Sequence, residues 1–170
     1  PTAHPVVSAL LDAGFDEPAS EVTSDDNLDQ HLPPQDVHHV VDADSSQVLA
    51  LLDVNQGRNL VVQGPPGTGK SQTITNMIAE ALGAGRTVLF VSEKMAALEV
   101  VKRRLDGIGL GDACLELHSN KTAKKAVLDE LARTLDLGRP LLGDIEADFD
   151  ELARSRDRLN TYCDALRVPV

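Results

Sequence analysis

Gly64, Gly69, Lys70 and Ser71 stand at the spacing G-x-x-x-x-G-K-S within the stretch QGPPGTGKSQT, residues 63–73. Those residue types in that order are suited to hold a polyphosphate. Backbone N–H groups of a glycine-rich loop cradle the phosphates, a lysine reaches the outer ones, and a serine hydroxyl ligates magnesium. Glycine at both ends of the pattern admits the anion where a side chain would stand in its way. At average glycine usage the whole pattern arises by chance in well under about one in a hundred chains of this length. Proline and glycine also break any helix or strand through the loop, which is therefore a segment held in one shape to bind a ligand.

A loop of this kind needs a strand before it and a helix after it. Leu60, Val61 and Val62 precede it as a short apolar run of the sort buried in a parallel sheet. Behind it, Ile74, Met77, Ile78, Ala81 and Leu82 recur at helical spacing and predict an amphipathic helix that ends at Gly83-Ala84-Gly85. The phosphate is then delivered to a helix N-terminus, where free amides and the helix dipole favour negative charge.

The flanking chain alternates in the same way. DADSSQVLALLDVNQ, residues 42–56, predicts a helix with an Asp or Ser N-cap. TVLFVS (87–92) is a second β run, followed by a helix with Met95, Leu98, Val101 and Leu105 inward. After a GIGLGD turn come a third β run, ACLELHS (113–119), and a helix over 121–136. A last helix starts near Asp144, beyond Gly138-Arg139-Pro140, and runs almost to the end. Strand and helix in alternation predict an α/β fold, a parallel sheet with flanking crossover helices.

The 170 residues suffice for one domain with its own core. Aromatics make up only 2% and tryptophan is absent, so that core must be built from Leu, Val, Ala and Ile. No apolar run approaches the roughly 20 residues that span a bilayer, and no signal peptide is recognisable. Cys114 and Cys163 read as reduced residues of a cytoplasmic protein, not as a disulfide or a metal site. The chain begins at Pro1 rather than Met and reads as a piece of a longer protein.

The net charge of −11 is unevenly spread. Residues 1–46 hold ten acids and no Lys or Arg, whereas the remainder is near neutral, with basic clusters at Lys102-Arg103-Arg104 and Lys121, Lys124, Lys125. The acidic arm opens with a predicted short helix ended by Gly14 and continues as aperiodic loop through residue 35. His38 and His39 read as solvated loop residues, because no Cys or second His pair lies at a zinc-like spacing.

Taken together, the phosphate loop GPPGTGKSQT, the DADSSQ about twenty residues before it and VLFVSEKMAALEVVKRRL after it resemble the first RecA-like domain of superfamily 1 helicases. The likeness is to the large bacterial helicase-related proteins with the QGPPGTGKSQTI signature. It covers roughly residues 40–137 and implies a P-loop NTPase fold that binds ATP or ADP with Mg2+. Gly64, Pro65, Pro66, Gly67, Thr68, Gly69, Lys70, Ser71 and Gln72 would surround the phosphates, with Lys70 as the catalytic lysine and Ser71 on magnesium.

The resemblance further implies that Gln47 recognises adenine, since a carboxamide both donates to and accepts from a base edge. A helix-capping or surface glutamine fits that position as well. SEKMAAL matches the family's motif that touches single-stranded DNA or RNA, which assigns backbone contacts to Ser92 and Lys94; Glu93 between them is unsuited to an anion. His118 and Ser119 fall where another nucleic-acid motif stands, and they equally fit a plain strand terminus.

Hydrolysis in this class also needs an apolar strand ending in Asp-Glu to hold magnesium and orient water. The nearest text, PLLGDIEADFDE (140–151), is interrupted by glycine and reads as a helix start. A second RecA-like domain with its arginine is not evident either. These features divide the chain into an acidic arm (1–41), the first part of an ATP-binding domain (42–137) and the start of a helical stalk (138–170).

The expected function is the ATP-binding portion of an ATP-dependent helicase or helicase-like translocase, inactive as a hydrolase on its own. A nucleotide-switched P-loop scaffold is the alternative, and a small-molecule kinase a more distant one, since no lid sequence is evident. In the stalk, Ile145, Leu152, Leu159 and Leu166 recur every seven residues, with Phe149, Arg156 and Cys163 four after the first three. That spacing predicts a coiled-coil seam and self-association through residues 145–166.

Overall fold

The structure is a computed structural model that describes residues 4–14, 20, 22–23, 26–117, 124–138 and 145–167. Its regular elements are helical. A short α1 (Pro5–Ser8) runs on as one wider turn (Ala9–Ala13) stopped by Gly14, as the sequence predicts. Then follow α2 (Ser45–Asn55), α3 (Lys70–Gly83), α4 (Met95–Gly107), α5 (Lys124–Asp136) and α6 (Ile145–Arg167). Short 3-10 turns at Leu28–Gln30, Pro34–Asp36 and Gly111–Ala113 punctuate the connections.

α3 is the central element. One side meets α4, where Ile78, Val101 and Leu105 are buried and Ile74, Leu82, Phe90, Ile108, Leu110 and Cys114 pack around them. The opposite side meets α2 through the buried Leu51. The buried hydrophobic residues are all aliphatic, as the composition requires.

The expected parallel sheet is not present: among the described residues no strand forms at all. The three apolar runs at 60–62, 87–92 and 113–117 are irregular backbone, and Val61 and Leu89 are each 87% exposed. A parallel sheet is stable when its strands pair and helices cover both faces. Here α3 and α4 pack on each other at Ile78, Val101 and Leu105, and the apolar runs beside them form no ladder. An open apolar groove of about 600 Å3 instead lies between these helices and the segments 87–92 and 113–117. The parallel sheet inferred from alternation, and with it the P-loop NTPase architecture implied by the resemblance, is thus corrected to a helical arrangement among the described residues, although the helices flanking the loop stand where they were predicted.

The N-terminal arm is seated on two helices. Ser20 Oγ donates to Asp53 Oδ1 on α2 at 2.9 Å, and the Asp53 carboxylate also faces Arg58 at 3.2 Å. On α6, Arg156 donates to the carbonyl of Leu32, and Asn160 Nδ2 donates to Asp29 Oδ2 at 2.9 Å. Of the predicted seam, Arg156 is therefore engaged by the arm, and Phe149 is partly buried. The Leu152, Leu159 and Leu166 stripe stays exposed, as does Cys163. No helix among the described residues is long and apolar enough to cross a membrane.

Candidate functional site

The loop of residues 64–69 enters α3 through Gly69, whose φ of 75° is the left-handed conformation that glycine adopts without strain. A glycine at this N-cap has no side chain to cap the helix; its carbonyl accepts from the N–H groups of Gln72 at 2.8 Å and Thr73 at 3.0 Å. A Cβ added at Gly69 would also lie 2.6 Å from Gln47 Nε2 and 2.8 Å from Gln72 Oε1. The amide ends of both glutamines therefore lie over the start of the helix.

Within the loop, Thr68 Oγ1 donates to Pro65 O at 2.9 Å and closes a tight turn. Lys70 is exposed, and its ammonium folds back across the loop to donate to Gly64 O at 2.6 Å and Pro65 O at 2.7 Å. Ser71 follows in the first turn of α3, where its carbonyl accepts from Thr75 Oγ1 at 2.7 Å. Pro66 and Gly67 form the exposed crown. The residues predicted to surround phosphate are thus contiguous on one loop that leads into a helix N-terminus, the arrangement suited to an anion.

Gln47 links this loop to a second helix. Asp44 caps α2, its Oδ1 accepting from the Gln47 backbone N–H at 2.9 Å, while the Gln47 Oε1 accepts from the Asp44 N–H at 3.3 Å. This reciprocal capping box satisfies two helix-end donors. Bonds from Ser46 Oγ and from the Gln47 N–H hold the Asp44 carboxyl below its usual range. The other end of the same amide, Nε2, donates to Thr68 O at 3.1 Å. The helix-capping role is realised, and the same side chain also reaches the loop. A carboxamide has two donors and two lone-pair sites, so one of each is left over.

The nucleic-acid candidates are less concentrated. Ser92 Oγ donates to Lys94 O and accepts from Lys94 N, both at 3.2 Å, so the pair forms the turn that starts α4. His118 and Ser119 lie outside the described residues. Of the basic clusters, Lys102 is committed to Asp106, a contact that raises its pKa.

Two polar residues of α3 were not singled out from the sequence. Asn76 and Glu80 are 0% and 4% exposed and hold the backbone of residues 38–41 from below. Asn76 Oδ1 accepts from the N–H groups of Val40 and Val41 at 3.0 and 3.1 Å, and its Nδ2 donates to Val41 O at 2.9 Å. Glu80 accepts from the His38 N–H at 2.8 Å and from Asn55 Nδ2 at 3.1 Å. His38 and His39 are loop residues, the first 41% exposed and the second more enclosed, and their rings stand 3.5 and 3.3 Å from the Glu80 carboxylate. Burial pushes the pKa of His39 down, Glu80 opposes that shift, and His38 adds to it. The signal available was the spacing of Thr73, Asn76 and Glu80, a polar stripe opposite Ile74 and Ile78. No metal-binding cluster occurs among the described residues.

Comparison with known proteins bears on a short part of the chain. A stretch of 47 residues, 28% of the chain, is 53% identical to an uncharacterized ATP-dependent helicase of Mycoplasma genitalium. The same length is 51% identical to its homolog in Mycoplasma pneumoniae. The match covers 4% of each relative, so the chain corresponds to a small portion of those proteins. No family model matches, and no solved structure matches. The chain is similar over that stretch to helicase-related, ATP-dependent proteins.

Proposed function

We propose that residues 42–137 are the ATP-binding portion of a helicase-like ATPase, and that the acidic arm (1–41) and the helical extension (138–170) flank it. The observation that supports this reading is the bond from Gln47 to Thr68, which holds a side-chain amide against the glycine-rich loop. The similarity to ATP-dependent helicases supports the same assignment.

In this reading the loop amides and the start of α3 take the phosphates of ATP or ADP. Lys70 exchanges two neutral carbonyl partners for phosphate oxygens, a stronger, charge-assisted pairing. Ser71 would hold Mg2+, which neutralises phosphate charge when bound. Gln47 offers its remaining donor and acceptor to the adenine edge. Ser92 and Lys94, at the entrance to α4, and His118 are the proposed contacts to single-stranded DNA or RNA. Exposed Leu152, Leu159 and Leu166 would pair with a second copy of the helix, giving self-association through residues 145–166.

ATP hydrolysis by the full-length protein, with and without single-stranded DNA or RNA, tests the proposal. Stimulation by nucleic acid is expected. Unstimulated turnover with an intact nucleotide response would favour a nucleotide-switched scaffold, and phosphate transfer to a small molecule would favour a kinase.

A further inference from the structure

α2 has to be held at a fixed distance from the phosphate loop if Gln47 is to read a base. Its middle and C-terminal end are fixed by Leu51 against α3 and by the Asn55 bond to Glu80. Neither contact fixes the N-terminal end, where Gln47 sits. That end is approached by the segment 38–44, which has no helical bonds of its own.

Besides the Gln47 bond to Thr68 itself, Asn76 supplies a restraint on this end. Its side chain is fully buried and uses three hydrogen bonds on two consecutive residues, Val40 and Val41. Burying an amide is costly unless its partners are present, so the site accepts the segment in one register only. Two residues separate Val41 from Asp44, whose side chain caps α2 and whose N–H orients the Gln47 amide. Gly83 lies against the His38 ring: a Cβ there would fall 2.3 Å from it, so a larger residue would displace that ring. Asn76 lies six residues beyond Lys70 on the same helix, about 9 Å along its axis. One rigid rod thus carries the phosphate loop at its tip and, lower down, the grip that locates the base reader.

We infer that Asn76 is a positioning residue for base selection, acting through Val40–Val41, Asp44 and Gln47 on the adenine side of the site. The inference rests on the proposed ATP-binding reading and adds a residue that touches neither loop nor ligand.

A double-mutant comparison tests it. Affinities for Mg-ATP and Mg-GTP are measured by fluorescence titration for the chain, for Asn76→Ala, for Gln47→Ala and for both together, with folding checked by circular dichroism. Asn76→Ala is expected to reduce the ATP-over-GTP preference by about three- to tenfold, the scale of one or two hydrogen bonds. The double variant should lose no more of that preference than Gln47→Ala alone. A purely structural Asn76 would weaken both nucleotides equally and leave the preference intact, which would overturn the inference. If Asn76→Ala does not fold, Asn76→Asp is read instead: it keeps the acceptor for the two N–H groups and loses the donor to Val41, and an unchanged preference would overturn the inference equally. Absence of nucleotide binding by the unmutated chain would overturn the ATP-binding reading itself, a result distinct from intact preference in the variants.

Discussion

Glu80 and His39 face each other at 3.3 Å across the junction between the N-terminal arm and α3, with the carboxylate almost wholly buried and the imidazole largely so. The same carboxylate takes the His38 N–H and the Asn55 amide. One side chain of α3 therefore ties together the arm, α2 and the helix that begins at the phosphate loop.

This junction makes stability depend on pH with a definite sign. Burial, the largest influence on His39, holds its folded pKa below the ordinary histidine value, against the pull of Glu80 and with help from His38. The unfolded chain then binds more protons than the folded one as pH falls through that interval. The stabilisation is full above the ordinary histidine pKa and is lost on acidification. Thermal melts from pH 8 to pH 5 should show a falling midpoint, with a smaller fall in His39→Gln; equal falls in the two proteins would exclude His39 as the source.

Turnover by this chain is expected to be negligible. The one Asp-Glu pair directly behind an apolar run, Asp129-Glu130 after Ala126-Val127-Leu128, lies inside α5 and not at the end of a strand, so hydrolysis should scarcely exceed that of Lys70→Ala. Phosphate release measured on the two proteins side by side decides this. Brisk hydrolysis by the unmutated chain would point to a carboxylate assigned here to structure, Asp144 or Glu146 first.

The C-terminal helix carries a separate prediction. Leu159 is 65% exposed and Leu152 and Leu166 lie on the same seven-residue stripe, while the arm occupies the Arg156 side. Light scattering should show association that Leu152→Glu with Leu159→Glu abolishes, leaving nucleotide affinity unchanged. A chain that is monomeric at high concentration would show that this stripe has no partner in a second copy.

Much of the site was legible in the sequence because its signals are local. The glycine-rich loop is a spacing of a few residues, α3 and α4 follow from apolar periodicity, and the Asp44 cap is a short-range pattern. The sheet was misjudged because pairing is non-local: Leu60–Val62 and Val88–Val91 have the composition of strands, but composition does not supply a partner. Asn76 and Glu80 were overlooked for a related reason. A polar residue in a helix reads as solvent-facing until the segment it binds, more than thirty residues away, is brought beneath it.

The most direct measurement is a calorimetric titration of the chain with Mg-ATP, repeated with Mg-GTP and with Lys70→Ala. Saturable binding of ATP, weaker binding of GTP and a loss of about ten- to a hundredfold in the lysine variant are expected, the last being the scale of hydrogen bonds to a charged partner. Equal affinity for ATP and GTP would contradict the role given to Gln47, and no saturable heat with either nucleotide would contradict the phosphate site altogether.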